Sequence, residues 1–141
     1  MSPNVIAVAT AFLLIAGSAE AGILHYGAVL KGANESPPNA SRGHGEVSAM
    51  LDTDRHELDY TITFENLSGP PTTADFQAHG AASAAVAVEI PQRGDEIHAI
   101  VKLTDDQIAQ LNAGRWSFNI STMANPGGEI GGELKREAGA Y

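Results

Sequence analysis

The feature that most constrains this chain is an alternation of apolar and polar residues with a period of two. In "ELDYTITFE", Leu58, Tyr60, Ile62 and Phe64 share one face, while Asp59, Thr61, Thr63 and Glu65 share the other. "RWSFNIS" repeats the pattern, with Trp116, Phe118 and Ile120 inward and Arg115, Ser117, Asn119 and Ser121 outward. "EVSAML" groups Val47, Ala49 and Leu51, and "LHYGAVL" groups Leu24, Tyr26, Ala28 and Leu30. Side chains of a strand alternate between its two faces, so such segments predict strands that are dry on one side and wet on the other. That is the signature of antiparallel sheets.

Further strands are expected over residues 84–90, 96–103 and 130–135. The breaks between them carry turn chemistry: "DTDRHE", "GPP" and "NPGGE". Asp52 and Asp54 have the spacing of a calcium-loop start, but no glycine or late glutamate follows, and an Asx-type turn is the better account. One helix interrupts the strands. "LTDDQIAQLNAG" offers Thr104 as N-cap, Gln107 as its capping-box partner, Asp105 and Asp106 in the first turn, and Gly114 as the stop. Short strands with one small helix in a single domain predict an all-β, antiparallel β-sandwich.

Residues 1–21 read as a signal peptide. "IAVATAFLLIA" (residues 6–16) is apolar but short of the ~20 residues a spanning helix needs, and Ala19 and Ala21 occupy the small positions of a cleavage site. No Lys or Arg precedes the run, which leaves an uncleaved anchor as the alternative. Cleavage would leave a domain of residues 22–141 carrying 16 acidic and 8 basic side chains, secreted or periplasmic and free of the membrane. This acidity disfavours nucleic acid and anionic membranes as partners. The chain has no cysteine, so neither disulfides nor a lipidated N-terminal cysteine are available.

Four segments resemble the CHRD family, the domain named after chordin. They are "AVLKGANESPPNASRGHGEVSAMLD", "LDYTITFENLSGPPTTADFQAHGAAS", "LTDDQIAQLNAGRWSFNISTMANPGGEIGGEL" and the hairpin turn between the first two. The resemblance implies a secreted all-β module, Greek-key/immunoglobulin-like or superoxide-dismutase-like, with no generally accepted catalytic activity. Many family members carry H-x-H-G-P-A where this chain has Gln77-Ala78-His79-Gly80-Ala81-Ala82, and often a further histidine where it has Ser121. Histidines at i and i+2 on a strand share a face and suit copper or zinc, but Gln77 and Ser121 are poor replacements.

His79 is therefore the pivotal residue: a hydrogen-bonded loop residue, one ligand of a weak metal or ligand site, or a catalytic group. His44, Gln77 and Asp75 are the candidates to complete a copper or zinc site with it. His25, His56 and His98 show no ligand spacing, and no nucleophile elbow, phosphate loop or zincin motif is present. The glycine cluster "NPGGEIGGE" is read as a turn leading into a strand. Four N-x-S sequons begin at Asn34, Asn39, Asn66 and Asn119, the first two in a loop suited to glycosylation in a eukaryotic pathway.

The expected function is a non-enzymatic binding or structural module without a cofactor, its partner a protein or extracellular polymer. Recognition is assigned to two loops, residues 31–45 and 72–83, with Asn34, Glu35, Pro37, Pro38, Phe76 and His79 as contact residues. A copper- or zinc-binding protein is the alternative, and a dismutase-like enzyme is third. Self-assembly through sheet edges is a further possibility.

Overall fold

The computed structural model describes residues 22–79, 86–91 and 94–137; the expected signal peptide lies outside them. Among the described residues, nine strands and one α-helix form a single antiparallel sheet with one core. The strands are β1 (Ile23–Lys31), β2 (His44–Asp52), β3 (Glu57–Glu65), β4 (Pro71–Ala78), β5 (Val86–Ala87), β6 (Glu96–Lys102), β7 (Trp116–Thr122), β8 (Ile130–Glu133) and β9 (Lys135–Glu137). The helix α1 spans Asp105–Asn112. No described helix is long and apolar enough to cross a membrane.

The strand order is β5-β4-β7-β8-β1-β2-β3-β6, with β9 also paired to β1. β3 and β4 are thus five ladder steps apart, roughly 24 Å in a flat sheet. Yet the rings of Tyr60 on β3 and Phe76 on β4 meet edge-on, with centroids 5.1 Å apart. The sheet curls over on itself, and its two halves become the two layers that the alternation predicts. Phe76 also packs on Trp116 (5.5 Å) and Phe118 (4.8 Å), so one ring joins both layers.

The inward faces follow the sequence pattern. Leu51, Leu58, Ile62, Trp116, Phe118 and Ile120 are fully or almost fully buried. The register aligns Leu24, Leu51, Leu58 and Val101 in one row across four strands, and Tyr26, Ala49, Tyr60 and Ala99 in the next. In the β2–β3 turn, the Asp52 carboxylate accepts from the backbone N–H groups of Asp54 (3.0 Å) and Arg55 (3.1 Å), the Asx chemistry expected there. At α1, Thr104 Oγ1 accepts from Gln107 N–H, and Gln107 Oε1 accepts from Thr104 N–H, completing the capping box. Gly114 follows with φ +76°, a conformation glycine adopts freely.

Three features differ from the sequence reading. Residues 72–78 are not a loop but most of β4, paired with β7 through residue 78. Their apolar signal is weak because two of the three inward positions, Ala74 and Ala78, carry only a methyl group. The strand expected over 84–90 contributes a two-residue ladder within the described residues, Val86–Ala87. The strand expected over 130–135 is broken at Leu134, whose buried side chain marks the step from β8 to β9.

If Phe76 joins the two layers, Phe76→Ala should lower unfolding free energy by about 3–5 kcal/mol. Urea denaturation followed by emission of Trp116, the single tryptophan, measures it. A loss below about 1 kcal/mol would show that the layers are held without it.

Candidate functional site

The candidate site is a cleft of about 790 Å³ on the outer face of the sheet, where the loop after β1 lies over β7 and β8. It is lined by outward positions that alternate with core residues: Gln77 on β4, Ser117 and Asn119 on β7, Gly131 and Glu133 on β8, and Val29 and Lys31 on β1. Asn34 and Glu35 enter from the loop, and His79 from the end of β4.

Two stretches build this wall by interlocking. From "GANESPPNAS", the Asn34 amide donates to the carbonyls of Gly131 (2.9 Å) and Val29 (3.2 Å), and the Asn39 amide donates to those of Glu129 (3.1 Å) and Gly128 (3.3 Å). From "NPGGEIGG", Gly128 and Gly131 leave space above the sheet. A Cβ at either would run into the Glu35 carboxylate and the Asn119 amide, and Gly128 also sits at φ +133°. With its nitrogen turned toward acceptors, the Asn119 amide donates to Glu35 Oε1 (3.0 Å) and to the Ile130 carbonyl (3.2 Å). The Glu35 carboxylate is half-buried, and that burial raises its pKa above the usual carboxylate value.

Beneath this wall lies Glu129, a charged residue with no exposure to solvent. Its Oε1 accepts from Thr122 Oγ1 (2.6 Å) and Asn125 Nδ2 (3.2 Å). Its Oε2 accepts from Ser41 Oγ (2.7 Å), Ser68 N–H (2.7 Å) and Ser68 Oγ (3.1 Å). Burial alone would push the carboxyl pKa up, but the hydrogen bonds from Thr122, Ser41, Ser68 and Asn125 outweigh it and hold it at about 2. Three loops are thereby fixed to one carboxylate.

The candidate metal ligands do not gather. Asp75 and Gln77 touch, Gln77 Nε2 donating to Asp75 Oδ1 at 3.3 Å, and His79 lines the cleft while its backbone N–H donates to the Arg115 carbonyl (2.8 Å). His44 opens β2, away from the cleft lining, and its Nε2 lies 2.7 Å from Glu65. The Arg42 carbonyl facing its other ring nitrogen and the Glu65 carboxylate both raise its pKa. His56 and His98 are likewise paired, with Asp105 (2.8 Å) and Asp59 (2.9 Å). Ser121 sits opposite Thr73, four residues along β7 from the Ser117 that faces Gln77, which is about 13 Å. Among the described residues, no three His, Asp or Glu side chains are placed to hold a metal ion.

One sequence expectation is corrected at this site. Phe76 is 0% exposed in the aromatic cluster, so it is no surface contact. The amide nitrogens of Asn34 and Asn39, which begin two of the sequons, donate to backbone carbonyls that position the wall. Of the other contact residues, Pro37 and Pro38 are exposed and Asn34 and Glu35 line the cleft. Glu129 and Asn119 were not singled out as functional residues, and no local sequence pattern marks the burial of the first.

The CHRD domain model matches residues 26–134, nearly all of the described chain. The chain belongs to the CHRD family. Comparison with curated proteins and with solved structures finds no match. Both interlocking stretches fall within the matched region, so in this CHRD domain the segments carrying the resemblance form the wall and its buried clasp.

Glu129→Gln replaces a charged acceptor by an amide whose NH₂ must face donors, and should cost roughly 1.5–3 kcal/mol of stability. The folded pKa lies below the ordinary 4.5, so the carboxylate's contribution is complete above about 4.5 and lost as pH falls toward 2. Denaturant midpoints between pH 2 and 6 should fall with acidification in the parent protein and change less steeply in Glu129→Gln. Parallel profiles would remove Glu129 from this role.

Proposed function

We propose that this CHRD domain is an exported, non-enzymatic binding module that takes a protein or extracellular polymer in the cleft under the 32–43 loop. The observation carrying this reading is the preorganised pair Glu35 and Asn119, held over Gly128 and Gly131 by a loop that is itself pinned to the sheet. Groups fixed before a partner arrives lose little freedom on binding it. The cleft also carries Glu46, Glu133 and Glu137 against Lys31 and Lys135, which favours partners rich in N–H, O–H or cationic donors. Export rests on residues 1–21.

The second reading, a copper- or zinc-binding protein, draws on one observation: His79 and Gln77 line the same cleft. It has less support, because His44 is engaged with Glu65. A dismutase-like enzyme has less still, since it requires several convergent imidazoles.

Binding of the purified protein to an array of extracellular polysaccharides and basic peptides tests the first reading, with Glu35→Ala and Asn119→Ala in parallel. A partner should be found whose affinity falls about tenfold or more in both variants while the folded state persists. A partner bound equally well by both would place recognition elsewhere. Stoichiometric copper or zinc retained after dialysis, and lost in His79→Ala, would favour the second reading instead.

A further inference from the structure

Among the described residues, the curled sheet does not close. Its last strand, β6, pairs on one side with β3, and among the described residues nothing pairs with its other side. The backbone there can be assigned. Phe64 N–H donates to the Asp95 carbonyl (3.0 Å) and Leu103 N–H to the His56 carbonyl (2.8 Å). In an antiparallel ladder the bonding residues alternate, so 97, 99 and 101 face β3 while Glu96, His98, Ile100 and Lys102 direct N–H and C=O outward. Beside this edge, residues Glu89, Ile90 and Pro91 flank an open space of about 440 Å³.

The edge sequence is "EIHAIVK", with a carboxylate at one end and an ammonium at the other. We propose that β6 is a self-association edge, and that a second copy of this chain pairs with it antiparallel about a two-fold axis at Ala99. This proposal does not depend on the cleft.

The register is fixed by chemistry already on the strand. Antiparallel pairing about Ala99 sets Glu96 opposite Lys102 of the second copy, and His98 opposite its Ile100. All four are positions whose backbone groups point outward, so each facing pair can exchange two N–H···O bonds. The two-fold places an opposite-charge pair at both ends of the ladder, whereas parallel pairing would set Glu96 against Glu96. Ile100, 58% exposed on its own chain, comes within diagonal reach of its symmetry mate. In each copy Lys102 also lies 3.7 Å from Glu57 on β3, so charges alternate along the row that would run across the joined sheets. An isologous contact closes on itself. The opposite sheet edge, β5, has a two-residue ladder, so the expected product is a dimer and not a fibre.

Sedimentation velocity of the purified protein over a concentration series tests this. The parent protein should show a dimer whose fraction rises with concentration. Ile100→Pro removes an outward N–H without touching a β3 bond and should give monomer. Glu96→Lys and Lys102→Glu should each weaken the dimer about tenfold or more, and the doubly exchanged Glu96→Lys/Lys102→Glu protein should regain it. The charge exchange keeps the test decisive if the proline variant does not fold, with emission of Trp116 reporting folding throughout. A parent protein that is monomeric at every concentration would overturn the proposal. So would a dimer indifferent to Ile100→Pro, or a double exchange that fails to restore association.

Discussion

The outer cleft depends on a negative charge, that of Glu129, buried away from water and held by hydrogen-bond donors. A lone carboxylate in such a place is strongly unfavourable unless its lone pairs are taken by donors. Glu129 receives five, and they come from the loop after β1, the turn after β3, the last residue of β7 and the turn before β8. Because a charged acceptor with a donor missing is costly, the arrangement selects for all of these segments being in place together. The clasp converts separate loops into one rigid end of the domain.

Above this clasp, the exposed groups inherit its order. Asn34 and Asn39 tie the loop to the carbonyls of β8 and its preceding turn, and Gly128 and Gly131 leave the room that Glu35 and Asn119 occupy. Below it, the core supplies the platform. The curl that brings β3 onto β4 is sealed by Phe76 between Tyr60, Trp116 and Phe118. The aromatic link and the polar clasp act in different parts of the molecule, and the cleft needs both: the curled sheet gives its walls and the clasp fixes its loop.

Much of the frame was legible because its causes are local. Alternation located β1, β2, β3, β6 and β7, and the Thr104–Gln107 capping box started α1 at the expected residue. β4 escaped because Ala74 and Ala78 give a period-two pattern little amplitude, although Phe76 between them is central to the core. The loop bearing Asn34 and Glu35 was recognisable from composition. Glu129 was not, because its burial depends on Ser41 and Ser68, which stand 88 and 61 positions away. No local period reveals such a partnership, and the glycine cluster around it reads only as a turn leading into a strand. For the copper or zinc reading, which residues share a face is visible in sequence, but the β4–β7 register that separates Ser121 from Gln77 is not.

Glu129 stays ionised inside the protein because loop donors solvate it. Titration of its side-chain carboxyl carbon by NMR, in protein labelled with carbon-13 at glutamate, addresses this directly. The expected midpoint is at about 2, well below the ordinary 4.5. A midpoint near the ordinary 4.5 would mean that water, and not Ser41, Ser68, Thr122 and Asn125, surrounds the carboxylate, and that the clasp does not exist.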